Sequence, residues 1–149
     1  MSRTFKYRFQ SPLGGLAADL TAEYALPGTG DEFFLRVDQH VSLSLPQGVS
    51  WRDAAWLSFG LAAHAPDLAL RNPQGIRVRV TALEFPLAHF RSEVAALAMD
   101  GWIRQEFSLP DHGLRAVFDV EGGSYGFHWG EQPEPFSDDL LKWISRGHG

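Results

Sequence analysis

Residues 75–110, GIRVRVTALEFPLAHFRSEVAALAMDGWIRQEFSLP, constrain the fold more than any other stretch, because a strong strand there runs straight into a long amphipathic helix. Ile76, Val78 and Val80 alternate with Arg77, Arg79 and Thr81, the period of two that gives a strand one apolar face. After a break at residues 84–86, apolar residues recur at Leu87, Phe90, Val94, Leu97, Ala98, Gly101 and Trp102. These steps of three and four mark a helix lying on a sheet.

The remaining segments read as scaffold for that unit. Phe5, Tyr7 and Phe9 alternate with Lys6 and Arg8, and after a glycine turn Leu16, Ala18, Leu20, Ala22 and Tyr24 alternate with Asp19, Thr21 and Glu23, so two antiparallel strands are expected. Residues 33–45 are long for one strand, and their polar centre at residues 38–40 allows either one bent strand or two short ones. Ser50 with Asp53 forms an S-x-x-D helix start, and the helix of residues 51–64 is expected to stop at Pro66, with residues 67–74 as a loop. Gly60 inside it costs roughly 1 kcal/mol relative to Ala, which points to close packing against a neighbour. Leu114, Ala116, Phe118 and Val120, the turn EGGS, and Tyr125, Phe127 and Trp129 make a hairpin. Ser137 starts a last short helix carrying Leu140, Leu141, Trp143 and Ile144.

The order is three strands, helix, strand, helix, then a C-terminal hairpin and short helix. That is an α+β fold, a largely antiparallel sheet with two main helices on one face. At 149 residues and 44% hydrophobic, the chain suits a single domain spanning residues 1–149.

The middle of the chain resembles domain IV of elongation factor G over roughly residues 5–107. The features that carry the resemblance are Pro46 before the first helix, Gly60 within it, the short loop of residues 72–75, the strand IRVRVTAL and the alanine-rich helix of residues 90–99. The resemblance implies a left-handed β-α-β connection, against the usual right-handed preference, and suggests a ribosome- or RNA-associated protein.

Composition removes several classes. The chain has no cysteine, which excludes disulfides, thiolate nucleophiles and cysteine-based zinc sites. Its formal charge of −5 disfavours RNA or DNA as a generic partner, since phosphate binding needs a cationic surface. No apolar run reaches membrane-spanning length and MSRTFKYRFQ is unlike a signal peptide, so no membrane association and a cytoplasmic location are expected. No glycine-rich phosphate loop, dinucleotide fingerprint or G-x-S-x-G motif occurs, and no cofactor is expected. The six histidines, His40, His64, His89, His112, His128 and His148, form no H-x-H or H-x-x-x-H pair, so no local metal signature exists and no metal site is expected, although distant histidines could converge.

The best polar constellation is Arg77 and Arg79 on one strand face, with Arg71 and Arg91 nearby in sequence. Planar guanidinium groups grip carboxylates and phosphates in a fork, against the plainer reading of a solvated face paired with acids such as Asp19 and Glu23. The leading expectation is a non-catalytic binding or regulatory domain that contacts an acidic macromolecule, a protein partner or another copy of itself, through this face, with RNA disfavoured by the acidic net charge. The alternative is an enzyme or small-ligand binder using His89 with Glu84 as an acid/base pair, or histidines brought together by the fold.

Overall fold

The computed structural model describes residues 2–12, 14–27, 34–86, 91–130 and 132. Strands β1 (Arg3–Phe9) and β2 (Leu16–Ala25) pair antiparallel, joined by a turn in which Gly14 and Gly15 both take positive φ. A side chain at Gly15 would strike the Phe9 carbonyl oxygen at 2.2 Å, so this turn requires glycine. The stretch that the sequence left open resolves into two short strands, β3 (Leu35–Arg36) and β4 (Val41–Ser44), reversing through residues 37–40. Helix α1 (Trp51–Ala62) follows, and Ser50 Oγ accepts the Asp53 amide at 3.1 Å, as the S-x-x-D pattern predicts.

Pro66 does not end the helical region. It sits in the first turn of a second helix, α2 (Ala65–Arg71), where its missing N–H would have had no partner and its fixed φ suits the start. The expected loop of residues 67–74 is therefore mostly helix. Strand β5 (Ile76–Glu84) comes next, then α3 (Val94–Phe107). The earlier helical positions Leu87 and Phe90, His89 and the short helix expected from Ser137 lie outside the described residues. The chain returns in the hairpin β6 (Leu114–Asp119) and β7 (Ser124–Trp129).

The five-stranded sheet has the order β1-β2-β5-β4-β3, with β4 and β5 parallel and the other pairs antiparallel. Its centre is the β2–β5 pair, where a bulge leaves Thr81 over between Thr21↔Ala82 and Ala22↔Val80. Alternation sends Leu16, Leu20, Val41, Leu43, Val78 and Val80 to the face that meets the helices, and all six are at most 1% exposed. Helix α3 lies across β1 and β2 and packs on α1, which completes the α+β arrangement with its helices on one face.

Gly60 of α1 faces the α3 backbone so closely that a Cβ there would meet the Ala96 carbonyl oxygen at 2.4 Å. The hairpin is a separate two-stranded sheet rather than an extension of the main one. It is clamped by Trp129, whose ring stacks on Trp56 at 5.1 Å and meets Phe59 edge-on at 5.2 Å. The aromatic faces of β1 and β7 thus pack, partly buried, against the core. No helix among the described residues is long and apolar enough to cross a membrane.

Candidate functional site

The four arginines singled out in the sequence are each engaged by different neighbours. Arg79 pairs with Glu23 at 3.2 Å across the β2–β5 register, while Arg91 pairs with Glu93 at 2.6 Å and lies over the Phe127 ring at 5.1 Å. Arg71 donates to the Phe107 carbonyl and ties the end of α2 to the end of α3. Arg77 departs most from expectation. It faces away from the helices, as its strand position requires, yet it is 3% exposed rather than solvated. Phe34 lies 4.0 Å from its guanidinium carbon, and its Nε points to Ser42 Oγ at 3.4 Å. The small Ser42 on the adjoining strand leaves room for the arginine to lie flat, and the aromatic ring closes over it.

Beside Arg77 the structure opens a cleft of about 290 Å³ that the sequence reading did not foresee. It lies at the edge of the sheet, where the β3–β4 turn meets the start of β5. Arg36, Arg77, His40 and Gln74 supply polar groups, and Phe34 and Pro27 supply apolar wall. Gly75, at φ 98°, lets β5 begin against the His40 carbonyl, which accepts the Ile76 amide at 2.8 Å. Asp38 also lines the cleft, but its Oδ1 accepts the His40 amide at 3.1 Å and so serves the turn. Two guanidinium groups and an imidazole converging on one recess suit an oxyanion.

Glu84 is exposed at the end of β5, and its suggested partner His89 is outside the described residues. A different pair of histidines meets in the interior. His64, the residue before α2, is fully buried, and its Nε2 lies 2.7 Å from Oδ1 of Asp100 on α3, itself 1% exposed. Arg104, one turn further along α3, grips the other oxygen of Asp100 at 3.0 and 3.2 Å. His112, in the connection from α3 to β6, brings its ring to within 4.9 Å of the His64 ring, centroid to centroid, and its Nε2 lies 3.0 Å from Asp67 Oδ2. One ligating atom from each of His64, Asp67 and His112 falls within 4.8 Å of the others. These residues could hold a metal, contrary to the expectation drawn from local spacing. Only the H-x-x-D step from His64 to Asp67 was visible locally, and His112 is 45 residues beyond Asp67, brought back by α3.

Comparison of the chain with protein-family models, with curated proteins and with solved structures finds no match.

Proposed function

We propose that this chain is a non-catalytic binding domain that receives an acidic segment of a protein partner in the cleft beside β3, with a carboxylate seated between Arg36 and Arg77. The observation that carries this reading is the placement of Arg77, a nearly buried guanidinium stacked on Phe34 yet lining the recess. Stacking holds the planar group in one orientation, which suits fork-like contact with a carboxylate. β3 is the outer strand of the sheet, and among the described residues no strand pairs with its outer edge, which an extended segment could follow. With 18 acidic residues against 13 basic ones, the whole chain offers a nucleic acid little general attraction, and local contacts must supply recognition. The likeness to domain IV of elongation factor G is likewise a proposal about fold, supported by the parallel β4–β5 pair bridged by helices.

The test is a titration of the full chain with a glutamate-rich peptide and with a glutamine-rich peptide of equal length, followed by amide NMR shifts. The acidic peptide alone is expected to move the Arg36, His40 and Arg77 amides. Arg36→Ala, on an exposed side chain, is expected to weaken binding about tenfold, in line with one charge-assisted hydrogen bond. Equal binding by Arg36→Ala, or shifts confined to other surfaces, would overturn the reading.

A further inference from the structure

We propose that His64, Asp67 and His112 form a mononuclear site for a divalent transition metal of the zinc class, with Asp100 as the carboxylate that orients His64. The site is separate from the cleft and does not depend on the binding function proposed for it.

The strongest observation is the state of the His64 ring. Its Nε2 is engaged by Asp100, while its Nδ1 is buried and has no hydrogen-bond partner among the described residues. Leaving a buried polar nitrogen unsatisfied costs on the order of 1–3 kcal/mol, and coordination would remove that cost. If Nε2 carries the proton donated to Asp100, Nδ1 presents its lone pair, the form in which imidazole binds a metal. A histidine ligand commonly has a carboxylate on its other nitrogen, which fixes the tautomer and the ring orientation. Asp100 occupies that position here and is itself fixed by Arg104.

The other two side chains supply the rest of the donor set. Ligands on one tetrahedral zinc, bound at roughly 2.0–2.2 Å, lie about 3.3 Å from each other. Asp67 Oδ2 and His112 Nε2 are already 3.0 Å apart in a hydrogen bond whose proton a metal would replace, and one ligating atom from each of the three residues lies within 4.8 Å of the others. Both side chains are about one-third exposed, at 34% and 32%, so an ion can reach the site and a solvent molecule can complete its coordination. Asp67 and Asp100 outnumber Arg104, which leaves the surroundings favourable to a cation. Two imidazoles with one carboxylate suit zinc, cobalt or nickel, whereas calcium and magnesium take sets built from oxygen.

The test uses the untagged full chain, stripped with a chelator and titrated with Co²⁺ while its visible absorption is recorded, followed by displacement with Zn²⁺. Saturation at one ion per chain, with cobalt bands that zinc abolishes, is expected. His112→Gln and Asp67→Asn, both on partly exposed side chains and checked for folding by circular dichroism, are expected to weaken binding at least tenfold. Asp100→Asn should weaken it 10–100-fold while leaving the stoichiometry at one. His128→Gln, on the exposed side of the hairpin, should change nothing. Absence of saturable binding, binding unaffected by both His112→Gln and Asp67→Asn, or equal loss in His128→Gln would overturn the assignment.

Discussion

Gly60 shows how one residue sets the spacing of two elements. Replacing it with alanine adds about 1 kcal/mol of helix propensity, but the new methyl meets the backbone of Ala96 rather than a side chain that could swing aside. Overpacking of this kind costs about 1–3 kcal/mol or more, so Gly60→Ala should lower the urea midpoint with an unchanged m-value. Tyr7 gives a pH signature. Burial, with a smaller push from the charge of Asp100, raises its phenol from 10.0 to about 12, although a backbone hydrogen bond with Ala116 works in the opposite direction. The folded state therefore holds that proton more tightly than the unfolded chain does. The resulting stability is complete below pH 10 and is lost as pH rises from there towards 12. Tyr7→Phe should flatten this alkaline decline, as chemical denaturation at several pH values would reveal. Residues differ in how far such roles can be read from sequence. A glycine inside an apolar helix already signals a close neighbour, and the structure names it as Ala96. The burial of Arg77 gave no such signal, because strand alternation tells only which face a side chain takes. What covers that face is set by Phe34, which is 43 residues away.

Elements were more legible where one local rule decided them. The alternation of β1, β2, β5 and the hairpin, and the cap at Ser50, follow from neighbouring residues alone. Within the S-x-x-D start, Asp53 Oδ1 is buried with no partner among the described residues, and burial raises the pKa of that carboxyl, partly offset by its hydrogen bond with Ser50. Pro66 was ambiguous because proline is excluded from helix interiors but welcome in a first turn. The choice fell to α2 because Leu68 could be buried beneath it. The hairpin depends on docking, since two strands alone are marginal in water. Trp129 is its main anchor, 8% exposed against Trp56 and Phe59. Trp129→Ala should therefore cost about 3–5 kcal/mol. Hydrogen exchange should show lost protection at β6 and β7 before any loss at β2 and β5.

At the scale of the whole molecule, the layer architecture was legible and both candidate sites were not. A two-layer fold follows from the order and faces of its elements, each of which writes its own periodicity into the chain. The cleft and the histidine group are instead meetings of distant segments: Arg36 with Arg77, and His64 with Asp100 and His112. No spacing rule links such residues, and their encounter depends on tertiary packing. His112 lies two residues before β6, where Gly113 and Gly130, both at positive φ, let the two ends of the hairpin close against the His112 carbonyl. A ligand held by His112 would therefore be coupled to the hairpin's hold on the helices. By reciprocity, whatever strengthens the docking of Trp129 on Trp56 and Phe59 would favour ligand binding at the histidine group by the same factor.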